Sequence, residues 1–170
     1  YVREPHPLRN DADGRPPPAR RPTLAGAVRR LRVLNLMHEG CVPPEDADTR
    51  SEEERRPWKM DHDVLNAERR LGHEVRNLGL WDQLGPIRTT IEEWKPHVVV
   101  NLLEHFQGLT GYDAHVVSYL QLLRVPYTGC NPRGLVLAQD KALSKKVLAY
   151  HGIRVPAFAE FPPGEKAVRP

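Results

Sequence analysis

The sequence predicts an α/β domain of Rossmann-like kind, with an open, mostly parallel sheet and flanking helices. Two observations carry this. Apolar runs of strand length alternate with segments of helical periodicity, and glycine and proline fall at the joints between them. A third is the run Val98-Val99-Val100, β-branched throughout, which suits a parallel strand buried on both faces. A chain of 170 residues is long enough for one compact domain with its own core.

Residues 1–29 carry Pro5, Pro7, Pro16, Pro17, Pro18 and Pro22 among many arginines. Such a composition buries too little apolar surface to offset its ordering entropy, so this segment is predicted to be a disordered tail. The domain is assigned to residues 30–160, with order beginning at Leu31. Val33, Leu34, Leu36 and Met37 make the first strand, and Gly40, Pro43 and Pro44 close it. The acidic stretch from Glu45 to Arg56 reads as loop. Met60, Val64, Leu65, Ala67 and Leu71 then recur at helical spacing, with Gly72 as a left-handed terminator.

His73 to Leu80 supplies the second strand. Pro86 fits the first turn of a helix whose face is Ile87, Ile91 and Trp94, and Pro96 stops it. Val98 to Val100 is read as the central strand, and Leu103 to Gly111 as a loop. Val116, Val117, Leu120, Leu122 and Leu123 mark the next helix, followed by Val125-Pro126-Tyr127. Asn131-Pro132 reads as an N-cap with proline at the first helical position; Asp140 caps a longer helix that ends at Gly152. Beyond Pro156 the composition turns to linker, and residues 161–170 are assigned to one.

Composition narrows the function classes. With 28% charged and 39% hydrophobic residues and no apolar run of bilayer length, the chain reads as soluble and globular, without a membrane partner. Its formal charge of +3 is concentrated in the first segment, so no nucleic-acid surface is expected. Cys41 and Cys130 stand far apart without a CxxC partner, which fits a reducing, cytoplasmic compartment better than zinc or disulfides. Tyr1 in place of Met, and Pro170 closing no recognisable element, point to a piece of a longer chain.

In open α/β sheets ligands bind beyond the carboxyl ends of the strands, which singles out three loops. The first holds His38, Glu39, Cys41, Glu45 and Asp46; a carboxylate there holds a substrate ammonium, or the loop is simply solvated. His38-Glu39 has no second histidine of HExxH, so no metal is assigned. The second holds Glu104, His105, Tyr112, Asp113 and His115. Asp113 opens a helix and either caps its free N–H groups or helps present a helix N-terminus to an anion. The third runs from Tyr127-Thr128-Gly129 to Asp140-Lys141-Ala142-Leu143-Ser144-Lys145, where Lys141 and Lys145 lie one turn apart, either as exposed lysines of an amphipathic helix or reaching ATP phosphates. Neither GxxxxGK[ST] nor GxGxxG occurs.

The elements Asn101-Leu102-Leu103-Glu104, Gly111-Tyr112-Asp113, Val125-Pro126-Tyr127-Thr128-Gly129, the DKxxxK run from Asp140 and Gly152-Ile153-Arg154-Val155-Pro156 resemble, in order and spacing, those of D-alanine–D-alanine ligases of the ATP-grasp family. The resemblance covers roughly Leu31 to Phe161 and is densest after Val98. It implies a pre-ATP-grasp, substrate-facing domain, with a linker at 161–170 leading to ATP-grasp domains downstream that clamp ATP and Mg2+. It also implies a ligase of peptidoglycan biosynthesis that phosphorylates a carboxylate and lets an amine attack the acyl phosphate, with this chain inactive alone.

Carried over by position, Lys141 is the phosphate-facing lysine, while Glu104 stands where the family has the histidine of its His-Gly motif. Asp113 is retained from Gly-Glu-Asp, whose glutamate is replaced by Tyr112. The first strand lacks G-G-x-S-x-E-x-x-x-S, and Glu39 is taken as the substitute for its glutamate. The substrate contacts are therefore Glu39, Glu104 and Asp113. The partners implied are an amino acid or small carboxylate, the downstream domains, and a second copy in a homodimer. Two alternatives stand beside this: a non-catalytic flavodoxin-like binding or interaction domain, and an ATP-grasp ligase for another amino acid or a peptide.

Overall fold

A computed structural model describes residues 29–161 and Gly164. The basic tail, apart from Arg29, and most of the 161–170 linker therefore lie outside the described residues. Three parallel strands form one sheet in the order β2-β1-β3: β1 is Arg32–His38, β2 is Glu74–Leu80 and β3 is Val98–Asn101. Val33 pairs with Val75 on one side and Val98 on the other, and Leu36 with Leu78 and Asn101.

The central strand is thus β1, not the Val98–Val100 run. Among the described residues the sheet continues beyond β3 as a single bridge from Val99 to Tyr127, held by Val99 N–H to Pro126 O at 2.8 Å and Thr128 N–H to Val99 O at 2.9 Å. Pro126 has no N–H to donate to a longer ladder.

The described residues form six helices: α1 Glu52–Arg55, α2 Lys59–Arg70, α3 Gly85–Trp94, α4 Asp113–Leu122, α5 Pro132–Gln139, which packs against α4, and α6 Lys141–Tyr150, which packs against α5. Alternation along β1 sends Leu34 and Leu36 into a core with Ile87 of α3 and Val116 and Leu120 of α4. Each such buried side chain contributes about 1.5–3 kcal/mol by leaving water. The opposite face of β1 meets α2, where Asn35 Nδ2 donates to Glu68 Oε2 at 2.9 Å and to Asn77 Oδ1 at 3.2 Å. Burial raises the Glu68 carboxyl pKa, and the Asn35 hydrogen bond works against that rise.

The stretch from Glu45 to Arg56 is not plain loop. It contains a 3-10 turn at Ala47–Thr49 and the short helix α1, closed by a capping box. Ser51 N–H donates to Glu54 Oε2 at 2.9 Å, and Glu54 N–H donates to Ser51 Oγ at 3.4 Å. The Ser-x-x-Glu spacing announces that box, but without an apolar run behind it. Other boundaries follow the local signals: α2 stops before Gly72 at φ 83°, and α3 ends on Lys95 at φ 51° just ahead of Pro96.

Candidate functional site

The carboxyl ends of β1 and β3 lie side by side because Leu36 pairs with Asn101 and Leu102 N–H donates to Leu36 O at 2.8 Å. After β1 the chain folds into a 3-10 turn at Glu39–Cys41, seated against the end of β2. A Cβ on Gly79 would stand 2.7 Å from Val42 Cγ2 and 2.9 Å from Glu39 Cα, so this close approach requires glycine. Between these ends and α2 opens a cleft of about 140 Å³, with His38, Cys41, Arg56, Asp61, Glu104 and His105 on its walls.

His38 Nδ1 accepts the N–H of Gly40 at 3.0 Å, which leaves the proton of the neutral ring on Nε2. That Nε2 is buried without a partner, as is Nδ1 of His105, and the two rings lie 4.6 Å apart. Trp81 meets His38 edge-on at 5.2 Å.

Asp61, only 4% exposed, stands on α2 one turn before buried Leu65. Burial, and secondarily the charge of Glu104, push its carboxyl up, against a lowering by its own backbone N–H. Burial, with Asp61 and Glu104 adding to it, likewise pushes up the Cys41 thiol. A thiol held in its protonated form is a poor nucleophile.

Of the residues the sequence singled out, Glu104 lies in this cleft beside His38, Cys41 and His105. Glu39 is exposed on the turn between two lining residues and is not itself a wall. Asp113, first residue of α4, uses Oδ1 to accept Ala114 N–H at 2.6 Å and Gln139 Nε2 at 2.6 Å, and it lies off the cleft walls.

Lys141, first residue of α6, is exposed and also off the walls. Asp140 caps α6 by accepting Leu143 N–H at 2.8 Å, as Asn131 caps α5 with Gly134 N–H at 2.8 Å. Lys145 sits over the Phe158 ring at 5.0 Å and Lys146 pairs with Glu160. Among the described residues Lys141 has no ion-pair partner.

Sequence reasoning missed Asp61 and Arg56. A signal for Asp61 existed: it shares one helix face with Leu65 and Glu68, so a carboxylate stands where the apolar stripe should continue. Among the described residues, no group of three or more His, Cys, Asp or Glu side chains comes together to hold a metal ion, and no helix is long and apolar enough to cross a membrane.

The fold is an α/β domain with a small cleft, lined by both polar and apolar side chains, at the carboxyl ends of its parallel strands, where ligands bind in open α/β sheets. No family model matches the sequence. The chain is 34% identical over 112 residues to a D-alanine–D-alanine ligase of Aquifex aeolicus, covering 66% of this chain and 36% of that protein. It is 32% identical over 104 residues to the ligase of Moorella thermoacetica, covering 58% and 32%. With the ligase of Syntrophotalea carbinolica it shares 44% identity over 59 residues, covering 35% and 19%. The matched regions thus span between 19% and 36% of these relatives' own length.

The crystal structure of D-alanine–D-alanine ligase from Bacillus anthracis complexed with ATP superposes with a TM-score of 0.50 at 22% identity, covering 81% of this chain and 42% of that one. That likeness shows the fold alone. Sequence similarity and fold together relate the chain to D-alanine–D-alanine ligases.

Proposed function

We propose that the chain is the substrate-binding, amino-terminal part of an ATP-dependent carboxylate–amine ligase acting through an acyl phosphate. The observation that carries this reading is the polar cleft at the carboxyl ends of β1 and β3, in a chain whose relatives bear the name of such ligases. In the reaction, a carboxylate oxygen of the substrate takes the terminal phosphoryl group of ATP and ADP leaves. An amine nitrogen then attacks the acyl carbon; the C–N bond forms, the C–O bond to phosphate breaks, and the nitrogen loses its proton. Holding the reacting groups in position supplies much of the acceleration in such chemistry.

Lys141 suits a phosphate contact, since it is exposed and has no ion-pair partner among the described residues, while Lys145 and Lys146 are engaged elsewhere. The described residues do not by themselves offer Mg2+ a ligand set, and Mg2+ takes no part in the steps given to this chain. An exposed apolar strip, Leu143, Val147, Leu148, Tyr150, Ile153 and Phe158, fits a face covered by downstream ATP-grasp domains. The substrate is an amino acid or small carboxylate, and the setting a cytoplasmic step of peptidoglycan biosynthesis.

The test is ATP-dependent phosphate release by the longest reading frame that contains this chain, supplied with D- and L-amino acids. Release with at least one of them, and none from the 170 residues alone, is expected. Phosphate release with no amino acid at all ends the ligase reading, and turnover by the 170 residues alone contradicts the division of labour.

A further inference from the structure

Neither α5 nor α6 contributes a buried residue; α5 packs against α4, and α6 against α5. Helices with so little buried surface belong to the least stable part of a fold, and directional bonds decide where they rest. Among the described residues, the side chain of Gln139 makes the only hydrogen bonds that run from either helix to the chain before residue 131. Its Nε2 donates to Thr110 O at 3.2 Å and to Asp113 Oδ1 at 2.6 Å, one amide hydrogen for each acceptor.

The elbow between the two helices is cross-bonded. Asp140 N–H donates to Val136 O at 3.3 Å, and Asp140 Oδ1 accepts Leu143 N–H at 2.8 Å. Ser144 Oγ reaches Asp140 O at 2.8 Å and, on the far side of the bend, Leu137 O. The elbow therefore moves as one piece, and Lys141 stands on it two residues past Gln139. The 103–111 loop that Gln139 grips is pinned on its other side by Gln107 N–H to Trp81 O at 2.9 Å, and it carries Glu104 to the cleft wall.

We propose that Gln139 is a positioning residue: its amide clamps the α5–α6 elbow to the end of the 103–111 loop and so fixes where Lys141 stands relative to the strand ends. That Lys141 then meets phosphate rests on the ligase reading; that Gln139 fixes the elbow does not. Gln139 acts through Lys141 and touches no reactant itself.

The experiment has two arms. In the first, residual dipolar couplings of the backbone amides are measured by NMR on the isotope-labelled chain. In the parent, the couplings of α4 and α6 fit one common orientation. In Gln139→Leu, which keeps the bulk and loses the donor, those of α6 shrink or require an orientation of their own, while those of α4 and the strands stay as in the parent. Asn131→Ala, which removes the cap at the far end of α5, leaves α6 aligned as in the parent. In the second arm, the longest reading frame that contains the chain is assayed for ATP-dependent phosphate release. Gln139→Leu should raise the KM for ATP about threefold or more and leave kcat within about twofold. It should add nothing further in a protein already carrying Lys141→Ala, because two substitutions acting through one contact are not additive.

The proposal is overturned if the α6 couplings are the same in Gln139→Leu and the parent, if Asn131→Ala displaces α6 equally, or if the rise in KM is as large with Lys141→Ala present as without it. Should Gln139→Leu not fold, Gln139→Asn, whose amide falls one carbon short of Asp113, takes its place in both arms. The two readings fail separately. A displaced α6 in a protein that never consumes ATP keeps the clamp and drops the ligase, whereas ATP-dependent ligation with unaltered α6 couplings keeps the ligase and drops the clamp.

Discussion

Gln139, the last residue of α5, donates from Nε2 to Oδ1 of Asp113, the first residue of α4, over 2.6 Å and 26 positions of sequence. The same oxygen accepts Ala114 N–H at 2.6 Å, so Asp113 ties one helix start to another helix end. Asp113→Ala should therefore cost about 1–2 kcal/mol in stability and Gln139→Ala about 0.5–1, as expected for one or two partly exposed hydrogen bonds. Urea unfolding of the two variants measures this. Unaltered stability in Asp113→Ala, together with lost amino-acid binding, would instead make Asp113 a ligand contact.

Asp61 carries a pH signature. Its folded-state carboxyl is raised by burial, so the folded chain holds this proton more tightly than the unfolded chain does. Stability contributed by the protonated acid is present at low pH and falls as pH rises from the unfolded value, near 4, through the raised folded one. Asp61→Asn should raise the melting temperature by a few degrees at pH 7 and by nothing below about pH 4. A thermal melt series across pH checks it, and a gain that persists unchanged in acid refutes the assignment.

Gly79 sets how closely the Glu39–Cys41 turn sits on the sheet. In Gly79→Ala the new methyl carbon meets Glu39 Cα at 2.9 Å, a backbone atom that cannot swing aside. A loss of about 1–3 kcal/mol is expected, the usual cost of overpacking. Because His38 precedes that turn, its imidazole NMR signals should move with the substitution; unmoved signals would mean that the turn yields without disturbing the cleft.

Asp140 and Lys141 are neighbours with different expected fates. Asp140→Ala removes the side chain that caps α6 and should cost about 1 kcal/mol. Lys141→Ala touches no partner among the described residues and should leave stability within about 0.5 kcal/mol. In the longer reading frame the same Lys141→Ala variant should raise the KM for ATP tenfold or more, measured by phosphate release. An unchanged KM would remove Lys141 from the phosphate site.

Much of the fold was legible because its signals are local. The left-handed glycine after α2, the Asn131 and Asp140 caps and the Pro96 stop each act through contacts within one helical turn, and each boundary falls where those residues place it. The helix α1 escaped notice because its Ser51–Glu54 box stands without an apolar face, so periodicity gave it no support.

The sequence by itself determined most of the strand and helix segments, the parallel α/β class and the strand ends beside which the cleft opens, since period and breaker residues are properties of neighbours along the chain. Tertiary structure alone decided that β1 and not β3 lies at the centre, that Asp61 joins Glu104, His38 and His105 around the cleft, and that Glu39, Asp113 and Lys141 stand off its walls. Those outcomes depend on which strands pair and on which face α2 turns to their ends. Pairings between residues tens of positions apart leave no periodic trace in the chain.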